Sequence, residues 1–162
     1  MKEEKIEITA QNPYMSDAVS EALEGINSGH GGPFGCVIVK DEKIVGRGHN
    51  MVLKNCDSTA HGEVVAIRDA EKNLNTYDLS NCILYTTAEP CPMCLYAILW
   101  ANIKKVYYGC TIKDTANIGF RDEKFDDLAG GREAFKDFLS CIDRDACLSL
   151  FDYYEKLESE IY

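Results

Sequence analysis

His61, Glu63, Cys91 and Cys94 are the residues of this chain whose types and spacing suit chemistry, and they stand in two short stretches, His61-Gly62-Glu63 and Pro90-Cys91-Pro92-Met93-Cys94. One nitrogen and two sulfurs make up three of the four ligands of tetrahedral zinc, and three protein ligands with one open position is the pattern of a catalytic ion. That softness favours zinc over magnesium or calcium, with iron a weaker fit. Cys91 and Cys94 are three apart, so on a helix they share a face, and at a helix N-terminus the free amides and macrodipole favour their thiolates. Glu63 follows His61 by two residues and does not share its face, so it reads as a neighbouring acid rather than a ligand. A carboxylate beside a zinc-activated water takes its proton and later delivers it to a leaving group, which is hydrolysis at an electrophilic carbon.

Each feature alone also has a plainer reading. The two cysteines could be a redox dithiol, or half of a closed structural zinc site completed by Cys82, Cys110 or His49. His61 alone would be a surface residue, and Glu63 an ordinary first-turn acid suited to the helix dipole. Cys36 and Cys82 fall in apolar strand patterns and read as core. The spacing of all four candidates together favours the catalytic site.

The elements that must position them follow from periodicity. Ser16 is the expected cap of a helix to about Asn27, with Val19, Ala22, Leu23 and Ile26 on one face. The run Gly29-His30-Gly31-Gly32-Pro33 is a loop, and Phe34 to Val39 is a strand buried on both faces, with Ile44 to Gly48 as its hairpin partner. Thr59 or Ser58 is the expected cap of a helix whose first turn holds His61 and Glu63, which turns Val64, Ile67 and Ala70 inward and ends near Asn73. Cys82 to Thr87 is a strand leading into a helix with Pro92 in its first turn, and a strand from Lys105 to Tyr108 follows. Strand, helix, strand alternation implies a parallel crossover, so the fold class is α/β. Beyond Gly109, Asp114 to Asp127 reads as loop, and Arg132 to Leu139 and Arg144 to Leu157 as helices.

A length of 162 residues suits one compact domain. With no leader pattern or apolar membrane span, the chain reads as cytoplasmic, and its eight cysteines as reduced thiols. The balance of 17 basic and 27 acidic residues, net −10, argues against a nucleic-acid backbone as main partner.

With these residues in place, the chain resembles the zinc-dependent cytidine deaminase-like superfamily, whose signature is H-x-E followed by P-C-x-x-C. The resemblance runs from about Ser16 to Gly109 and implies an α/β/α sandwich with a central mixed five-stranded sheet. It implies that His61, Cys91 and Cys94 hold zinc while Glu63 shuttles protons as ammonia leaves an amino-substituted ring. Within the superfamily, Gly31-Gly32-Pro33-Phe34-Gly35 and Glu89-Pro90-Cys91-Pro92-Met93-Cys94-Leu95 look like the bacterial guanine deaminases. By that resemblance Phe34 and Asn50 contact the base, Asp122 of Gly119-Phe120-Arg121-Asp122 assists the chemistry, and Tyr162 closes the pocket. A homodimer is also implied, with a C-terminal segment of about 124–162 packed on or exchanged with the partner. Gly62 departs from that group's usual alanine, and Gly46-Arg47-Gly48-His49-Asn50-Met51 is reminiscent of fungal cytosine deaminase. Cytosine deaminase and tRNA adenosine deaminase are therefore the same-class alternatives, and a non-catalytic structural zinc module the alternative of another class.

Overall fold

The computed structural model describes residues 6–129 and 136–157. Asn12 opens the first helix, α1 (Pro13–Asn27), its side chain accepting from the amides of Tyr14 and Met15. Ser16, the expected cap, instead lies inside the helix and donates its amide to the Asn12 carbonyl. The helix starts earlier because Pro13 has no amide to satisfy and a preset φ. Its stripe of Met15, Ala18, Val19, Ala22 and Ile26 is buried.

β1 (Gly35–Lys40) and β2 (Lys43–His49) form an antiparallel hairpin, and both turn residues, Asp41 and Glu42, take positive φ, as a tight two-residue connection demands. A short helix not foreseen in the sequence, α2 (Val52–Asn55), precedes α3 (Gly62–Leu74). Then come β3 (Ile83–Ala88), α4 (Pro92–Trp100) and β4 (Lys105–Cys110), the expected parallel crossover. The segment expected as loop holds α5 (Ile112–Asn117) and α6 (Asp122–Ala129). Thr111 and Asp114 form a reciprocal capping box on α5, a T-x-x-D signature legible in the chain. The expected helix over Arg132 to Leu139 lies partly outside the described residues, and its described end turns into β5 (Leu139–Cys141). Pairing of Leu139 with Val106 and Cys141 with Tyr108 satisfies the open edge of β4, a long-range gain that local propensity does not report. α7 (Arg144–Lys156) closes the described chain, its Arg144 paired with Asp114 of α5.

The sheet order is β2-β1-β3-β4-β5, with β1 antiparallel to both neighbours and β3, β4 and β5 parallel. This is the expected mixed five-stranded sheet. Alternate residues of β1 feed opposite cores: Val37 and Val39 pack with α1 and α7, and Cys36 and Ile38 with α3 and α4. The result is a three-layer α/β/α sandwich. On α3, Ala66 joins the buried Ile67 and Ala70, while Val64 is half-buried rather than core. Among the described residues no helix is long and apolar enough to cross a membrane.

Backbone approaches backbone where α1 crosses β1. A Cβ on Gly35 would lie 2.1 Å from the Ala18 carbonyl oxygen and 2.5 Å from the Ala22 amide nitrogen, neither of which can rotate away. Gly35→Ala is therefore expected to cost about 1–3 kcal/mol, the usual weight of overpacking, seen as a lower denaturant midpoint at unchanged slope. An unchanged midpoint would mean that α1 slides freely on the sheet.

Candidate active site

The residues that open α3 and α4 are the candidate ligands themselves. His61 is the N-cap of α3 and Cys91 that of α4, both in extended conformation and neither making a side-chain capping bond. Thr59 and Ser58 do not cap α3; Thr59 instead closes a turn on Asp57, donating to its carboxylate through both amide and hydroxyl. The extended φ and ψ of His61 and Cys91 free their side chains to meet each other. Two helix N-termini thus converge on the cluster, and their partial positive charge favours anionic sulfur.

His61 Nδ1 lies 3.6 Å from Cys91 Sγ and 3.6 Å from Cys94 Sγ. A tetrahedral ion at the usual Zn–S and Zn–N lengths sets nitrogen and sulfur about 3.5 Å apart, so the three residues fit zinc. Among the described residues they form the one group of histidine, cysteine and acidic side chains that could hold a metal. Cys82, Cys110 and His49, the considered fourth ligands, are not part of it: Cys82 and Cys110 sit in the two cores, and His49 is bonded to His30 and Glu21.

The electrostatics suit a cation. Hydrogen bonding from Cys94, then from His61, brings the Cys91 thiol down to about 4 against its burial. Burial alone would lower His61, but its hydrogen bond with Cys91, that thiolate's charge, Glu63 and Asp122 carry it up to about 9. Cys94 is pushed well up, first by its bond to Cys91 and then by burial. A metal held by all three must displace the protons on His61 and Cys94.

Glu63 is buried in the first turn of α3, beside the cluster but outside the group of three. Burial, then the Cys91 charge, raises its carboxyl to about 7, with His61 opposing. Thr86 of β3 donates its hydroxyl to Glu63 Oε1 at 3.4 Å. The sequence reading missed this contact, for nothing in an apolar strand marks one threonine as aimed at an acid.

The cluster opens into a cavity of about 470 Å³ whose lining includes Phe34, Asn50, His61, Glu63, Cys91, Phe120 and Asp122. Phe34 and Phe120 meet edge to face with ring centroids 4.9 Å apart. Asn50 is fully buried, and its side-chain oxygen accepts from the Val52 amide at 3.1 Å. Asp122 opens α6 on the rim. The structure thus brings Phe34, Asn50 and Asp122 to the cavity lined by His61, Cys91 and Glu63, while Tyr162 lies outside the described residues. Val52, Met93, Arg121 and Phe125 line it too and were not anticipated, and neither was Glu89, whose carboxylate accepts from the Ile112 amide at 3.0 Å. An acid between a strand and a metal-binding cysteine pair was the available signal for Glu89.

A three-layer α/β/α sandwich with a histidine and two thiolates at converging helix N-termini, and an acid beside them, has the makings of a zinc-dependent hydrolase. The chain belongs to the cytidine and deoxycytidylate deaminase zinc-binding family, whose model matches residues 8–110. It is 54% identical over 109 residues to a guanine deaminase of Bacillus subtilis, covering 67% of this chain and 70% of that one. A solved guanine deaminase of Nitrosomonas europaea superposes with a TM-score of 0.75 at 28% identity, over 93% of this chain and 87% of the other. A tRNA-specific adenosine deaminase of Buchnera aphidicola is 36% identical over 124 residues, 76% of this chain and 80% of that protein.

Proposed function

We propose that this protein hydrolytically deaminates a free nucleobase, converting guanine and water to xanthine and ammonia. The observation that carries this is one cavity of about 470 Å³ in which aromatic walls, the Asn50 amide, Glu63, and His61 and Cys91 of the metal-binding trio face the same space. That volume suits a small ligand held between apolar walls by a few polar groups. The named activity of the 54% identical relative supports guanine as the base.

His61, Cys91 and Cys94 would hold the ion, and zinc, when bound, lowers the pKa of a water toward about 7. Glu63 takes one proton from the attacking water and passes it to the amino nitrogen. The water oxygen bonds the carbon that bears the amino group, its second proton passes to the adjacent ring nitrogen, the exocyclic carbon–nitrogen bond breaks as the new carbonyl forms, and ammonia leaves. Burial raises the Glu63 carboxyl, and a carboxyl so raised suits both halves of that transfer. Phe34 packs on the ring face, Asn50 hydrogen-bonds the ring edge, and Asp122 receives or returns a proton at the exocyclic nitrogen. In this reading Tyr162 closes the cavity, from the chain's own C-terminal segment or from a partner's. The net charge of −10 disfavours the tRNA enzyme's polyanionic substrate. A reducing compartment suits unpaired thiolate ligands, which supports a cytoplasmic enzyme, and guanine as substrate supports a role in purine metabolism.

The same reading makes the protein a homodimer. α4 is apolar nearly all round, and Met93, Tyr96, Leu99 and Trp100 stand exposed on it, Trp100 at 85%. A helix of that kind needs a covering surface. Trp100→Glu is expected to shift the protein from dimer to monomer in sedimentation velocity, whereas an unshifted dimer would place the interface elsewhere.

Ammonia release from a panel of bases tests the substrate. Protein carrying about one zinc per chain is expected to turn over guanine much faster than cytosine, adenine or an adenosine-containing anticodon stem-loop. Faster release from cytosine or from the stem-loop would overturn the assignment of guanine.

A further inference from the structure

His30 and His49 form a hydrogen-bonded pair beside the cavity that the reaction leaves unused. His30 lies in the loop after α1 and His49 ends β2; Nδ1 of the first is 2.8 Å from Nε2 of the second. On its other side His49 Nδ1 is 3.3 Å from Glu21 Oε2, and Glu21 is itself paired with Arg47. The His49 ring is buried against α1 at Gly25, where a Cβ would lie 2.8 Å from its Cδ2.

Chemistry fixes the direction of these bonds. An ionised carboxylate only accepts, so His49 Nδ1 bears the hydrogen, its Nε2 in the neutral ring is bare, and His30 Nδ1 must donate to it. The charged groups facing the pair are Glu21 and Glu24 of α1, Arg47 of β2 and Lys54 of α2. Burial, then Lys54 and His49, holds His30 below the ordinary imidazole value, with Glu24 opposing, which favours the neutral donor.

Both partners are fastened to the wall that carries Asn50. The His30 carbonyl accepts from the amides of Leu53 and Lys54, tying the loop to α2. Gly31, the next residue, packs so closely that a Cβ there would lie 2.1 Å from Asn50 Oδ1. Asn50 follows His49 directly, donates its amide to the Phe34 carbonyl at 2.9 Å, and accepts from Val52 through its side chain. The His30–His49 side-chain bond before Asn50 and the two backbone bonds to the His30 carbonyl after it therefore clamp the loop to the chain on either side of Asn50.

We propose that His30 and His49, oriented by Glu21, are positioning residues that hold Asn50 for binding of the nucleobase. This rests on the cavity being the base site. In the zinc-loaded wild type at mildly alkaline pH, long-range ¹⁵N–¹H NMR is expected to show both rings as the Nδ1–H tautomer, and a neutral His49 protonated at Nε2 would overturn the pairing. His30→Ala is expected to raise KM for the fastest base roughly 3- to 10-fold, the weight of one hydrogen bond, with kcat within about twofold and zinc retained. His30→Asn, whose amide donates from a similar position, should restore most of the affinity. An unchanged KM, a loss confined to kcat, or no rescue by asparagine would overturn the role. Should no base be turned over, the deaminase reading fails on its own. The Asn50 side-chain amide resonances then still decide the clamp: His30→Ala moves them and His30→Asn returns them, and resonances unmoved by His30→Ala would refute it.

Discussion

Replacing Glu63 with glutamine is expected to leave about one zinc per chain and to lower kcat by roughly 10²–10⁴-fold or more, the range of general acid–base catalysis. Glutamine keeps the size of the side chain and an acceptor for the Thr86 hydroxyl, so the buried surroundings need not move. What it removes is a group able to take a proton from water and return it to the departing nitrogen. Because Glu63 lies outside the group formed by His61, Cys91 and Cys94, metal content should not follow activity. Metal analysis and ammonia release on one preparation make the comparison. A variant that loses zinc along with turnover would show that Glu63 ligates the ion, and one that keeps substantial turnover would move the proton-transfer role to another acid, with Asp122 the first to test.

The parts of this site that the sequence declared are those in which chemistry dictates both residue type and spacing. A metal needs donor atoms, and a cysteine pair three residues apart at a helix start is a short-range pattern, so Cys91 and Cys94 could be read before any fold was known, while His61, thirty positions earlier, was joined to them by the resemblance to the deaminase signature. The sheet was legible for a related reason: Val37, Ile38 and Val39 leave no polar face, which a strand tolerates only when covered on both sides. The failures share a cause as well. β5 has three residues and exists because β4 offers it an edge, so its signal lies about thirty positions away in the chain. α2 is one helical turn, too short for periodicity to register. His61 and Cys91 were expected within helical turns or behind other caps. They are the caps, because an extended residue at a helix start can project its side chain away from the helix and toward a shared point. The bond between His30 and His49 joins a loop to a strand end, and no periodic pattern connects such positions.

The largest loss should follow removal of a thiolate from the cluster. Cys94→Ala is expected to abolish stoichiometric zinc and to bring deamination to background. Removing only a partner once removed from a metal already costs about 10–100-fold in affinity, and a direct ligand should cost more. The comparison that gives the result meaning is Cys82→Ala. Cys82 is buried, as Cys94 is, and it was one of the residues considered for closing a four-ligand structural site, yet it packs in the core with Leu79 and Leu84. Losing its sulfur should cost stability as any buried truncation does, about 1 kcal/mol for so small a group, and leave zinc content and turnover per folded molecule unchanged. The same outcome is expected for Cys110→Ala in the opposite core. If zinc left with Cys82 or Cys110, the ion would have a fourth protein ligand, its open position would disappear, and with it the place where water is activated. Among the described residues a histidine and two cysteines are the group that could hold the ion, and three protein ligands with one open position is the pattern of a reaction centre rather than of a staple.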